Sequence, residues 1–226
     1  MPCHMSERWA TFDCYGTLID WEGGLLAGLT EVFGPDDAER LRDRYHEIEP
    51  RIQAAEPTKS YRDVMADALA ELAGEEGREL SGDERDTLGR SLPSWRAFPE
   101  VPGALTEARE RGWRLVILSN TDRDFIEASM RQIGIEFEFA IVASEIGSYK
   151  PAHGHWNAFY ERTGADRADH VHVAASVFHD IRPAFDLGIP SIWINRLGEK
   201  SDARPDRELP DLTGLPDALD ELKPAA

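Results

Sequence analysis

Residues 11–20 read TFDCYGTLID. An apolar run carries one carboxylate, Asp13, into a turn marked by Gly16, and the position two residues after the acid is Tyr15 rather than a second carboxylate. An aspartate at a strand end beside glycine is ordinarily a turn residue. It acquires chemical meaning only if other reactive side chains reach the same sheet edge.

Outward from this stretch, β-rich apolar runs recur as WATFDC (9–14), RLVILSN (114–120), FAIVAS (139–144), HVHVAA (170–175) and PSIWINR (190–196). They are near-continuous rather than alternating, the pattern of strands covered on both faces. Helical patterns separate the last four: 121–134 with Thr121 and Gly134 at its ends, 151–164 between Pro151 and Gly164, and the stretch DIRPAFDLGI from Asp180. This alternation predicts an α/β fold, a doubly wound parallel sheet of the Rossmann-like kind.

Between the first and second runs lie roughly a hundred residues without a strand pattern. LLAGLTEVF, DAERLRDRYHEIEPRIQAAE, YRDVMADALAELAG and GDERDTLGRSL place apolar residues three and four apart, which predicts helices. An insertion there forms a helical cap above the carboxyl ends of the strands, where open α/β sheets bind ligands. The expected division is a core of 1–19 and 97–226 and a cap of 20–96. The charged stretch after Leu197 predicts a loop, followed by a helix near 215–223.

With 226 residues and 41% hydrophobic side chains, the chain can bury a sizeable core. No run approaches the roughly 20 apolar residues of a membrane span, and Met1 to Glu7 lacks the apolar centre of a signal peptide, so a soluble cytoplasmic protein is expected. Cys3 and Cys14 supply neither a disulfide framework nor a zinc cluster. A net charge of -18 repels nucleic acids and anionic membranes over a screening length of about 8 Å, and neither is an expected partner. An anionic substrate needs Arg or Lys concentrated at its site.

Four groups fall at the ends of the predicted strands: Asp13 with Gly16 and Thr17, Ser119 with Asn120, Lys150, and Ser176 with Asp180. Singly each reads as a turn or capping residue. Together, in this order, they resemble the haloacid dehalogenase superfamily, whose four ordered motifs match FDCYGTL, LSN, YKP and the HD of SVFHD. The resemblance covers nearly the whole chain, helical cap included. It implies a covalent nucleophile at Asp13, a role that suits a carboxylate already ionised near pH 7.

Most phosphatases of the superfamily carry a second Asp two residues after the nucleophile, as acid and base. Tyr15, with an ordinary pKa near 10, serves that task poorly. Ala175 stands where such enzymes place a metal-binding Asp, leaving Asp13 and Asp180 as a thin oxygen set for Mg²⁺. No metal or other cofactor is expected. FDCYGTL resembles the type II 2-haloacid dehalogenases, which have Tyr at that place. Asp13 would displace halide from the carbon beside a carboxylate, and water would then hydrolyse the aspartyl ester.

Carried over by position, the resemblance gives Asp13, Lys150, Ser119 and Asp180 catalytic roles. Thr17, Ser119 and Lys150 would orient Asp13 and bind the substrate carboxylate, Asp180 would pair with Lys150, and Asn120 would face the leaving halide. Tyr15, Ser176 and Trp156 would line the pocket. The family's cap arginine has two counterparts, Arg42 and Arg44, between which spacing does not choose. The partners implied are a small anionic organic substrate and a second copy of the chain.

The branch places Ser and Asn where this chain has Ala175 and Val177, so water positioning departs from its pattern. His179 offers a base, although a helix-start histidine is more often structural. His153, His155 and His172 lack the tight spacings of a zinc site. Trp21 and Tyr61 are expected in the core or lining an apolar pocket. The competing readings are a phosphatase with degraded motifs, which predicts Mg²⁺-dependent phosphate release, and a non-catalytic binding protein on the same fold.

Overall fold

The computed structural model describes residues 7–223, so Cys3 and the extreme N-terminus assigned to the core lie outside the described residues. Five β-rich runs become strands β1 (Arg8–Phe12), β2 (Trp113–Ser119), β3 (Phe139–Val142), β4 (His170–Ala174) and β5 (Ser191–Ile194). A sixth, β6 (Arg207–Leu209), lies in the stretch expected to be loop. Its short polar sequence, REL, carries no strand periodicity, and only pairing with β5 from Ile192 to Ile194 makes it a strand. The sheet is parallel throughout, in the order β3-β2-β1-β4-β5-β6.

The chain between β1 and β2 is helical: α1 (Trp21–Phe33), α2 (Pro35–Ala55), α3 (Tyr61–Glu75), the short α4 (Gly82–Arg85) and α5 (Thr87–Ser91), and α6 (Val101–Glu110). The GDERDTLGRSL pattern, expected as one helix, divides at Asp86. Ser60 caps α3 by accepting from the Asp63 N–H, and Ser81 with Glu84 forms a capping box on α4. α1 packs on α2 and α5, and α2 on α3. Leu41, Tyr45, Ile48 and Ile52 form the buried stripe of α2, at the spacing that faces one neighbour.

The chain leaves and returns through a pair of extended segments. Asp20 donates its N–H to the Arg96 carbonyl and Phe98 donates to the Leu18 carbonyl, with Ile19 bridging Ala97. Arg196 fastens this junction, donating to the Thr17 carbonyl at 2.8 Å, pairing with Glu100 at 2.7 Å and lying over the Phe98 ring.

After β2 come α7 (Arg123–Ile133), α8 (Ala143–Ile146), α9 (Gly154–Thr163), α10 (Arg182–Asp186) and α11 (Leu215–Leu222). α7, α9 and α11 realise the expected helices; the stretch from Asp180 instead begins in a π-helical turn, Val177–Ile181, before α10. Two apolar layers cover the sheet. The larger joins β1, β2 and β4 to α6, α7, α11 and the inserted helices, and the smaller sets Trp9, Val116 and Leu118 against Trp156 and Phe159 of α9.

Candidate active site

Each strand of the centre of the sheet delivers one part of the site at its carboxyl end. Asp13 follows β1, where Gly16 turns the chain at φ +87°, a conformation that side-chain-bearing residues rarely adopt. Ser119 ends β2 and Asn120 follows it; Lys150 lies beyond β3 and α8; Ser176 and Asp180 follow β4.

The centre of the arrangement is the Lys150 ammonium, whose side chain is 1% exposed. It donates to Asp13 Oδ1 at 2.9 Å, Asp180 Oδ1 at 2.6 Å and the Leu118 carbonyl at 2.8 Å. All three of its hydrogens are therefore engaged inside the protein. Burial disfavours its charge, but the two carboxylates outweigh that effect and raise its pKa. Asp13 Oδ2 accepts from the Thr17 hydroxyl at 2.8 Å, and Thr17 in turn accepts the Ala175 N–H at 2.9 Å. Burial raises the Asp13 pKa, with Lys150 opposing it and the Asp180 charge adding to it.

Asp180 is held differently. Burial would raise its pKa, but Lys150 and His172 overcome this and hold the carboxyl well below the usual range. The His172 Nε2 lies 2.9 Å from Asp180 Oδ1. Because the carboxylate can only accept, that nitrogen carries the hydrogen, and Nδ1 accepts from the Thr11 hydroxyl at 2.8 Å. Thr11 then accepts from His170 Nε2 at 2.6 Å, and His170 Nδ1 accepts from the Tyr160 hydroxyl at 2.7 Å. One fixed charge thus sets the direction of a chain of hydrogen bonds crossing β1 and β4. Burial keeps His170 neutral, its pKa well below the ordinary value. The sequence offered one usable signal, two histidines two apart on a strand and hence on one face; placing Thr11 beside them required the register that pairs it with His172.

These groups form the floor of a cavity of about 550 Å³, lined from the sheet by Asp13, Tyr15, Ser119, Lys150, His179 and Asp180. From the inserted helices come Trp21, His46, Glu49, Gln53 and Tyr61. Among the described residues, four buried polar atoms on lining residues have no hydrogen-bond partner: Ser119 Oγ, His179 Nε2, Asp180 Oδ2 and Arg196 Nε. The backbone N–H groups of Tyr15 and Asn120 likewise make no bond to the described backbone. Burial lowers the His179 pKa to about 4, and its Nδ1 lies 3.1 Å from Ser176 Oγ.

Asp13, Tyr15, Ser119, Asn120, Lys150, Ser176 and Asp180 line this one cavity. Thr17 supports Asp13 from behind. The Tyr15 hydroxyl turns away to Ser129 at 3.0 Å, leaving its ring to face Tyr61. Asn120 is a clamp: its Nδ2 donates to the Lys150 carbonyl and to Gln53 Oε1, at 3.0 and 3.3 Å, and its Oδ1 accepts the Lys150 N–H at 2.6 Å. Both amide hydrogens are thereby occupied, and Asn120 keeps its place on the cavity wall.

Three residues depart from their expected place. Arg42 pairs with Asp43 and Glu22, Arg44 with Glu75 and Glu47, and neither lines the cavity. In a chain so rich in acids, an arginine on the outer face of α2 finds a carboxylate outside. Trp156 is fully buried against β2 and edge-on to His172 at 5.2 Å, because α9 packs its apolar side onto the sheet. Glu49 and Gln53 were not anticipated. They follow the apolar stripe of α2 by one position, and nothing local in the sequence separates them from its solvated acids and amides.

The residues present do not suit a magnesium ion. Asp13 and Asp180 both turn an oxygen to the Lys150 ammonium, Ala175 offers no ligand, and among the described residues no cluster of three or more His, Cys, Asp or Glu is arranged to hold a metal.

A family model described as haloacid dehalogenase-like hydrolase matches residues 8–188. The chain is 27% identical over 212 residues to the (S)-2-haloacid dehalogenase of Pseudomonas sp. strain YL, covering 90% of each chain. It is 34% identical over 192 residues to the haloacetate dehalogenase H-2 of Moraxella sp. strain B, covering 83% of this chain and 85% of that one. The crystal structure of an L-2-haloacid dehalogenase superimposes with a TM-score of 0.84 at 27% identity, over 95% of this chain and 99% of the other.

Proposed function

We propose that this chain, which belongs to the haloacid dehalogenase-like hydrolase family, converts a 2-haloacid and water to a 2-hydroxy acid and halide through an ester on Asp13. The observation that carries this reading is the state of Asp13. It is buried at the floor of the cavity, with each oxygen oriented by one donor, Lys150 or Thr17. Such a carboxylate attacks without prior deprotonation, and its orientation is fixed before substrate arrives.

In the first step an Asp13 oxygen displaces halide from the carbon beside the substrate carboxylate. Lys150 and Thr17 have no hydrogen left for that carboxylate, so its binding falls to the Ser119 hydroxyl and the Tyr15 and Asn120 N–H groups. The apolar walls from Trp21 and Tyr61 suit a short carbon chain. In the second step water attacks the Asp13 carbonyl carbon. His179, neutral at pH 7, takes a proton from that water through Nε2, and Asp180 Oδ2 orients it. This supplies the water site that Ala175 and Val177 do not.

Residues 20–96 serve in this reading as the cap that excludes bulk water, with the paired segments near 18–20 and 96–98 as its hinge. A homodimer in the cytoplasm completes the proposal, and light scattering on the purified protein tests the assembly.

Brief exposure to chloroacetate followed by peptide mass spectrometry tests the nucleophile. The expected result is an adduct on the peptide holding Asp13, with halide release lost in Asp13→Asn. Full halide release by that variant removes the covalent mechanism.

A further inference from the structure

The face of α2 that looks into the cavity carries an acid and an amide instead of an arginine. Glu49 and Gln53 are one turn apart, both buried, and both line the cavity that Asp13 lines from below. Two contacts set this face over the reacting centre. Gln53 meets Asn120, the neighbour of Ser119, at 3.3 Å. Tyr61, beside Glu49, stacks on Tyr15 with ring centres 6.3 Å apart, two residues along from the nucleophile. The Tyr61 hydroxyl accepts from Trp21 Nε1 at 3.2 Å, which leaves its hydrogen for the Glu49 carboxyl.

Glu49 has no Arg or Lys salt-bridge partner among the described residues, unlike most acids on the outer faces of the same helices. A buried carboxyl without a cation favours its protonated form. Burial accordingly raises its pKa to about 7, against smaller opposing effects of Tyr61 and His46. Among the carboxyls lining this cavity, Asp13 and Glu49 thus have unlike surroundings: Asp13 is oriented by an ammonium and a hydroxyl, and Glu49 has the Tyr61 hydroxyl but no Lys or Arg partner. Such a difference in environment distinguishes a nucleophile from an acid.

Displacing a halide requires no acid, because halide leaves as a stable anion. An acid opposite the nucleophile serves a leaving atom that must be protonated. We propose that Glu49 is a general acid on the cap side of the cavity, and that the site therefore also hydrolyses short 2,3-epoxy acids to 2,3-dihydroxy acids. The proposal rests on Asp13 being the nucleophile.

An Asp13 oxygen bonds to C2 of the epoxide as the C2–O ring bond breaks, and the ring oxygen, still attached to C3, takes the proton of the Glu49 carboxyl. Water then adds to the Asp13 carbonyl carbon, the ester C–O bond to the dihydroxy acid breaks, and the net proton released restores Glu49. The sum is epoxide plus water to diol, with no oxidant or further reactant.

Other titratable groups face Glu49: Tyr45 and His46 on its own helix, Glu22 beyond His46 on α1, Tyr61 on α3 and Tyr149 before Lys150. The tyrosines stay protonated, burial holding each above its ordinary value. His46 has its own pKa raised: burial lowers it, and the contact with Glu22 outweighs that.

The test measures glycerate formation from oxirane-2-carboxylate and halide release from chloroacetate, on the full-length protein and on Glu49→Gln. The proposal expects diol from the wild type, falling as pH rises through about 7 as the acid form is lost. It also expects the ratio of diol formation to halide release to drop about a hundredfold in Glu49→Gln, while in His46→Gln the pH dependence persists. Thermal denaturation establishes that both variants fold. Chloroacetate turnover without diol overturns the role of Glu49 and leaves the dehalogenase reading intact, as does an unchanged ratio in Glu49→Gln. Absence of both activities overturns the Asp13 reading and this proposal with it.

Discussion

Replacing Lys150 by Met removes the one ammonium on which the buried charges of the site depend. The methionine fills much the same space, so the change is largely electrostatic. In the native protein Lys150 offsets two carboxylates, Asp13 at 2.9 Å and Asp180 at 2.6 Å, and satisfies the Leu118 carbonyl. With side-chain exposures of 1% for Lys150, 10% for Asp13 and 1% for Asp180, water from the cavity compensates only a small part of the lost charge. Removing one partner of a buried ion pair costs about 3–5 kcal/mol, because the remaining charge is left without compensation.

The dependence on pH has a definite sign. In the native protein Asp180 has a lowered pKa, so its contribution is present above the ordinary carboxylate range and is lost as pH falls through and below it. In Lys150→Met both acids are buried without a cation, and the folded state takes up protons more readily than the unfolded chain. The variant therefore regains stability as pH falls from 7.5 toward 5, and the difference from wild type narrows. Urea unfolding followed by tryptophan fluorescence at both pH values measures this. A loss below about 1 kcal/mol, or an equal loss at both pH values, would refute the view of Lys150 as counter-charge to two buried carboxylates.

Three further outcomes follow from the same geometry. Substituting His179 by Phe should slow ester hydrolysis more than ester formation, so the Asp13 adduct accumulates during chloroacetate turnover and is seen by mass spectrometry; in the wild type, hydrolysis should fall as pH drops through about 4, where His179 becomes protonated. Thr11→Val leaves the His170 Nε2–H and His172 Nδ1 unpaired in the core, at about 1–3 kcal/mol, readable in urea, and nitrogen NMR should show His170 losing its single tautomer while His172, still bonded to Asp180, keeps its own. Arg42→Ala and Arg44→Ala should each leave kcat/KM for chloroacetate within about twofold, since both side chains are engaged with surface acids; a tenfold loss would place that arginine in the closed site.

The sequence by itself determined which groups end the strands. Periodicity separates buried parallel strands from amphipathic helices, and that local property set Asp13, Ser119, Lys150 and Asp180 at one edge before any contact was known. It also determined where the helical insertion falls, because no strand pattern interrupts residues 20 to 112. β6 escaped because a three-residue polar strand exists only through its partner.

Tertiary structure decided which side chains each functional atom meets. Arg42, Arg44, Glu49 and Gln53 share one helix, and in one dimension all four read as its polar side; rotation of α2 against α1 and α3 buries the last two and exposes the arginines. The chain from Tyr160 to Asp180 depends on strand register, which no local pattern specifies when the strands are buried on both faces. Donor counting around Lys150, Thr17 and Asn120 likewise needed every partner in place. The chemistry of a residue type is intrinsic to it, whereas its protonation and its free hydrogens are set by neighbours brought together only when the chain folds.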